Sequence, residues 1–360
     1  MSKIYIIGLG SGGLDQMTLG VYQLITRATP LYLRTKEHPA AKELLEKGVG
    51  FTSFDELYEA EASFSEVYEQ IVISLEKELH RQAGHPIYYA VPGHPLVAER
   101  TVQLLLERAP KKGYEVEVVG GQSFLEPLFA RLKLDPVEGF QLLDGTCLEA
   151  HQLHPALHTV ITQVYDARIA SEVKLTLMEV YPDEYPVTMA TAIGLKEAER
   201  IVQLPLYELD RQKLYGNLTC VYIPPTDSEA VLNRQYYRAR QIISILRSPE
   251  GCPWDRKQTH QSLKKYLLEE AEEVLQAIEA QDPENLKEEL GDLLLQIFLH
   301  AQIAEEEGYF NMEDVLASLS DKMIRRHPHV FGQERAATPE EVTLLWEKIK
   351  ERERKEKEEK

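Results

Sequence analysis

Cysteine is scarce in this chain, three residues in 360, and none stands at a paired spacing. That argues against a disulfide framework and a CxxC metal or redox motif, and it fits a reducing cytoplasm. Long apolar runs are missing as well: the N-terminal run KIYIIGLG stops at glycine. It is too short for a membrane helix and is read as neither signal peptide nor anchor, so no membrane partner is expected. Positive charge is in deficit, with 40 Lys and Arg against 59 Asp and Glu. The resulting net charge of −19 opposes nonspecific adhesion to nucleic acid or anionic lipid. Any nucleotide must therefore be drawn by metal and local cations. Short tandem repeats and low-complexity linkers are absent too.

The 43% hydrophobic content is enough for soluble cores, and the length leaves room for two or three domains. Up to LTCVYIPP, β-rich runs (KIYIIGL, TPLYLRT, IYYAVPG, EVEVVGG) alternate with helical ones, the signature of an α/β layer fold. After Pro224-Pro225 the pattern is helical throughout. The expected architecture is a two-lobed α/β domain over 1–225, with lobes of about 1–120 and 121–225. An all-α helical bundle follows over 226–360.

The helical part carries the strongest chemical signal. Residues 266–310 hold 13 Asp and Glu against one Lys. Glu270 with Glu273, and Glu289 with Asp292, are three apart, so each pair shares one helix face. Asp282-Pro283 reads as an N-cap followed by proline at the first helical position, which makes the connection short and the helices antiparallel. At about 1.5 Å rise per residue the first pair lies roughly 15 Å before the turn and the second roughly 12 Å after it. The four carboxylates come level. Leu286, Leu290, Leu293 and Ile297 form the apolar stripe expected to face the core, with Glu289 at its margin. Anions gathered there need protons or cations, and all-oxygen ligands select magnesium or manganese over zinc. The plainer alternative is a solvated acidic face. Lys322, Arg325 and Arg326, at i, i+3 and i+4, can present a cationic face to a triphosphate. His327-Pro328-His329 reads as a helix-ending turn with no metal, Cys252 as a packed or turn cysteine, and Trp254 as core. The tail KIKERERKEKEEK reads as a solvated, frayed helix end.

The runs GCPWDRKQTHQSLKKYLLEEAEEVLQAI, EELGDLLLQIFLHAQIAEEEGYF and SDKMIRRHPHVFG resemble the MazG family of nucleoside triphosphate pyrophosphohydrolases over roughly residues 229–350. The family's EExxE and ExxD pattern maps onto Glu269, Glu270, Glu273, Glu289 and Asp292. The resemblance implies a magnesium site on a helical bundle. It also implies a nucleotide site completed by Lys322, Arg325, Arg326, Trp346 and Lys350, with the cations on phosphate and the indole near the base.

At the other end, IIGLGSGG satisfies the dinucleotide pattern through Gly8, Gly10 and Gly13. A ribose-binding carboxylate should then end the next strand, but PLYLRT ends in Arg34-Thr35, which argues against a nicotinamide cofactor. The segments IIGLGSGGLDQMTLGVYQLITRATPLYLRT, YYAVPGHPLVAERTVQLL and GGQSFLEPLFARL instead resemble the tetrapyrrole methylase family over about residues 1–224. That resemblance implies S-adenosylmethionine in a cleft between two lobes. Gly8, Gly10 and Gly12 would form its first loop, Pro92, Gly93, His94 and Pro95 its second, and Gly121, Gln122 and Ser123 its third, with Met189 and Ala190 closing the pocket. Where many such methylases read GDP, this chain reads GHP, so His94 either meets the ligand or fills the turn.

The combined order resembles the bacterial YabN-type fusion family. The activity expected is hydrolysis of a nucleoside triphosphate to nucleoside monophosphate and pyrophosphate, with Glu269 orienting or deprotonating water beside the metal. The N-terminal part is expected either to transfer methyl from S-adenosylmethionine to an acceptor the sequence does not name, or to persist as a scaffold. The alternative is a methyltransferase whose helical part serves as a dimerisation or binding module. A homo-oligomer, at least a dimer, is expected through the helical part.

Overall fold

A computed structural model describes residues 2–358 apart from 62 and 196, with backbone alone at 352 and 354–358. The chain divides into two compact units, Met1–Leu232 and Asn233–Lys360. The division falls after Leu232 because the short helix Glu229–Leu232 buries Val231 in the first unit's core. Each unit is described by itself.

The first unit begins with a parallel sheet. Strands β1 (Lys3–Gly8), β2 (Leu31–Leu33), β3 (Thr52–Ser53), β4 (Ile87–Val91) and β5 (Glu115–Gly120) lie in the order β3-β2-β4-β1-β5. Side chains alternate across a strand, so the apolar run of β1 feeds both faces of the sheet. Ile4 and Ile6 pack under α4 (Phe64–Arg81) and α5 (Arg100–Lys112) with Ile71, Leu75 and Leu105. Ile7 and Leu9 pack on the other face under α1 (Leu19–Ile25) and α2 (Pro39–Glu46) with Ile25 and Leu44. Each fully buried side chain of this size contributes about 1.5–3 kcal/mol. The short α3 (Asp55–Ala60) follows β3.

After α6 (Leu125–Leu132) a second, mixed sheet forms from β6 (Phe140–Asp144), β7 (His158–Thr162), β8 (Pro186–Thr191), β9 (Arg200–Pro205) and β10 (Thr219–Ile223), in the order β6-β7-β10-β8-β9. Only β6 and β7 pair in parallel; the rest run antiparallel. Helix α7 (Ala167–Met178) covers it through Ile169, Val173 and Leu177.

The second unit is helical: α9 (Tyr236–Arg247), α10 (Pro253–Lys257), α11 (His260–Ala280), α12 (Pro283–Glu306), α13 (Met312–Arg326), α14 (Pro328–Phe331) and α15 (Pro339–Glu358), with α8 the helix Glu229–Leu232 noted above. Its core joins Ile243, Leu263, Phe298, Leu299, Ile303 and Met312.

Two expectations change here. The stripe on α12 does not face this core, since Leu290 is 49% and Ile297 39% exposed. The C-terminal half of α12 fills the core instead; Leu290 and Ile297 lie open together with Leu268, Leu275 and Ile278 of α11, while Leu286 and Leu293 are half-buried. Trp254 is half exposed rather than core: α10 is a single short turn, and its ring meets Tyr266 edge-on at 5.7 Å.

Candidate functional site

In the helical unit, local chemistry sets the two acidic helices. A capping box between Thr259 and Ser262 starts α11, and Gln281 ends it in the left-handed conformation at φ 54°. The Asp282 carboxylate then accepts hydrogen bonds from the Glu284 and Asn285 N–H groups, both at 3.2 Å, and Pro283 opens α12. The return is immediate, and α11 and α12 pack along each other.

This brings Glu270, Glu273 and Glu289 together, with one carboxylate oxygen of each within 4.8 Å of the others. All three are half-buried. Asp292 lies outside that trio, yet among the neighbouring charges it contributes most to raising the Glu270 pKa. Loss of hydration comes first in holding the Glu270 carboxyl above its ordinary range, followed by Asp292, Glu273, Glu269 and Glu289. Glu289 is raised likewise, by desolvation and then by Glu273 and Asp292. Carboxylates that repel one another at an all-oxygen site fit a hard divalent cation. Glu269 is exposed beside them.

The expected cationic face is not free. One carboxylate, Glu353 of α15, binds both Arg325 and Arg326. Hydrogen bonding from Arg326, joined by Arg325 and outweighing the opposing loss of hydration, holds the Glu353 carboxyl down at about 2. Lys322 is half-buried on the same helix, and Lys350 is exposed on α15. Trp346 packs edge-on against His327 at 5.1 Å, with its indole Nε1 buried and without a hydrogen-bond partner. His327 ends α13 and begins α14, its Nδ1 donating to the Met323 carbonyl at 2.7 Å.

In the first unit, three glycine-bearing turns converge at the carboxyl ends of β1, β4 and β5. A Cβ on Gly8 would fall 2.5 Å from the Gly93 oxygen and 2.8 Å from both the Gly120 oxygen and the Pro95 ring Cδ. A Cβ on Gly121 would fall 2.6 Å from the Gly8 Cα. Gly10, at φ 85°, exchanges backbone hydrogen bonds with Gly93. Only glycine permits this approach. Pro92 and Gln122 are half-buried in the second and third turns. His94 fills its turn, with Nδ1 accepting from the Leu96 N–H at 3.1 Å. The side chain of Gln16 covers Gly12 and donates to the Gly194 carbonyl across the two lobes.

Three carried-over positions sit differently from expectation. Met189 and Ala190 of β8 are 1% and 0% exposed, held in the second lobe's cores because a central strand is covered on both faces. Gly194, beyond that strand, is the position that meets the first loop. The Ser123 hydroxyl is engaged locally, donating to Glu126 at 2.7 Å and accepting from the Leu125 N–H at 3.0 Å. Sequence reasoning missed His38, whose Nε2–H donates to the Gly10 carbonyl at 3.0 Å while Nδ1 accepts from Ala40. Burial holds its pKa down at about 4, so it supports the first loop as a neutral ring. Also missed was a largely buried pair between the end of β2 and the start of α5. Arg34 lies 3.3 Å from Glu99, which accepts from Thr101 at 2.7 Å.

A family model for tetrapyrrole (corrin/porphyrin) methylases matches residues 3–210, and one for the MazG nucleotide pyrophosphohydrolase domain matches residues 258–331. The chain is 50% identical over 352 residues to the uncharacterized protein YabN of Bacillus subtilis, covering 98% of this chain and 71% of that one. Identity with the nucleoside triphosphate pyrophosphohydrolase/pyrophosphatase MazG of Thermotoga maritima is 55% over 113 residues, 31% of this chain and 43% of that one. With the nucleoside triphosphate pyrophosphohydrolase of Escherichia coli K12 it is 49% over 124 residues, 34% and 47% of the two chains. Less than half of either hydrolase is spanned.

Proposed function

The chain belongs to the tetrapyrrole (corrin/porphyrin) methylase family and carries a MazG domain after it, and we propose that its helical unit hydrolyses nucleoside triphosphates to nucleoside monophosphate and pyrophosphate. The observation that carries the reading is the trio Glu270, Glu273 and Glu289, gathered within 4.8 Å. With Asp292 they would hold Mg²⁺ or Mn²⁺. Such an ion, when bound, neutralises phosphate oxygens and lowers the pKa of water.

The chain's own residues do the rest. Water adds across the α–β anhydride, its oxygen joining phosphorus as the bridging P–O bond breaks and pyrophosphate departs. Glu269 takes the proton from water. Lys322, Arg325, Arg326 and Lys350 hold the phosphate tail by charge-assisted hydrogen bonds, and Trp346 borders the base. The open stripe of Leu268, Leu275, Ile278, Leu290 and Ile297 supports assembly of a homo-oligomer, because an apolar face this extended on a helix pair is normally covered.

For the first unit the convergence of Gly8, Gly93 and Gly121 supports S-adenosylmethionine as ligand, with methyl transfer to an unidentified acceptor as the second activity. The cytoplasm, which supplies both the triphosphate and S-adenosylmethionine, is the compartment this reading requires. Incubating the full chain with single nucleoside triphosphates and Mg²⁺, with and without a chelator, tests it. Metal-dependent loss of triphosphate supports the hydrolase. No loss with any of them, alongside consumption of S-adenosylmethionine with an added acceptor, turns the assignment toward a methyltransferase with a helical binding module.

A further inference from the structure

Adjacent residues on a helix point about 100° apart and do not face a common ligand. Arg325 and Arg326 are adjacent, so the helix alone cannot aim both guanidinium groups at one phosphate tail. In the structure something else gathers them. The Glu353 carboxylate accepts from Arg325 Nε at 2.7 Å, and from Arg326 through Nη2 at 2.6 Å and Nε at 3.3 Å. Solvated surface pairs contribute little, but this one is bridging, bidentate on Arg326, and the Glu353 side chain is only 16% exposed. It lies within a run whose mixed charge reads as a solvated tail, and it is docked instead.

The register of α15 gives the contact its meaning. Trp346, Lys350 and Glu353 stand at i, i+4 and i+7, on one helical face. Arg325 and Arg326 stand at i+3 and i+4 from Lys322, one on either flank of its face of α13. The Glu353 bridge and the contact of Trp346 with His327 therefore join these two faces, which are far apart in sequence. Glu353 cancels one positive charge of four, leaving the joined faces cationic. Both guanidiniums meet it through Nε or Nη2, so each keeps its Nη1 donors for another anion.

Resting on the proposed hydrolase, we infer that Glu353 is the positioning residue of the triphosphate site: it gathers Arg325 and Arg326 and docks α15 so that Trp346 and Lys350 reach the same nucleotide. It touches no substrate itself and acts through the arginines.

The test uses the full chain and a nucleoside triphosphate with a methylene bridge between the α and β phosphates, which binds without being cleaved. Calorimetry with Mg²⁺ should show the dissociation constant rising about tenfold for Glu353→Gln, the size expected for losing one charge-assisted contact. Glu353→Asp, which keeps the charge but shortens the reach, should fall between. Combined with Arg326→Gln, the two effects should be far from additive. With the cleavable triphosphate, KM should rise more than kcat falls. Tighter binding by Glu353→Gln would mean that the carboxylate competes with phosphate, and it overturns the inference. So does unchanged affinity, including unchanged affinity with a lowered melting temperature. If the wild-type chain binds the methylene analogue but cleaves no triphosphate, the hydrolase reading fails while Glu353 is still judged by the affinities.

Discussion

Replacing Glu273 by Gln separates a metal-holding role from a structural one, because the two predict opposite effects on stability. Glu273 is half-buried, and its carboxylate shares a space of 4.8 Å with Glu270 and Glu289. For the Glu270–Glu273 pair, within 4.8 Å of each other, repulsion in water-like surroundings is about 1 kcal/mol, and physiological salt reduces it further. Removing one charge from the metal-free protein therefore leaves stability unchanged or raises it slightly. The loss to catalysis is far larger. One of the ligands that neutralise and place the ion is gone, and turnover should drop by about two orders of magnitude or more. Triphosphate loss at saturating Mg²⁺, together with calorimetric melting in chelator, reads both quantities on one preparation. Unchanged turnover would refute the ligand role. A large fall in melting temperature would show instead that the carboxylate holds the helices together.

Other outcomes follow from the same geometry. The Glu270 and Glu289 carboxyls are raised above the ordinary 4.5 in the folded chain, so their contribution to stability is fully present below about that value and is lost as pH rises through the folded pKa. Chelated protein should thus melt lower at pH 7 than at pH 5, and Mg²⁺ should narrow the difference; calorimetric scans with and without the ion check both parts. Titration calorimetry on the full chain should give binding of S-adenosylmethionine or S-adenosylhomocysteine and none of NAD, and the reverse result would withdraw the assignment of the glycine turns. Leu275, 57% exposed on α11, lies on the stripe assigned to the oligomer contact, so Leu275→Glu should shift sedimentation toward monomer; unaltered sedimentation of an oligomer would place the contact elsewhere. Glu99→Gln leaves Arg34 largely buried beside a neutral partner and should cost about 3 kcal/mol in chemical denaturation; a stability within error of wild type would show that water reaches the guanidinium.

Local signals in the sequence translated directly into structure. Asp282-Pro283 starts α12 by the capping and ring geometry its residues dictate, and the level carboxylates follow from rise per residue alone. The alternating apolar residues of β1 and the glycines Gly8 and Gly121 of the first and third turns were equally legible, since one reflects strand period and the other a backbone approach no side chain tolerates. Partners distant in sequence were not. The stripe through Leu290 and Ile297 is apolar by period, but period does not say what covers it. Glu353 sits in a mixed-charge run whose composition is silent about two arginines 27 and 28 residues earlier. His38 and Gln16 support the first loop through contacts that exist only once the sheet and the second lobe have formed. Met189 and Ala190, carried over by motif, prove to be strand residues whose side chains serve the cores.

The central claim concerns which phosphate bond is cut. Chromatography of the products from a single nucleoside triphosphate, incubated with the full chain and Mg²⁺, decides it. Nucleoside monophosphate and pyrophosphate in equal amounts, abolished by chelator, is the result expected from four carboxylates and a cation set gripping the whole tail. Nucleoside diphosphate with orthophosphate, or cleavage that persists without divalent metal, would contradict it.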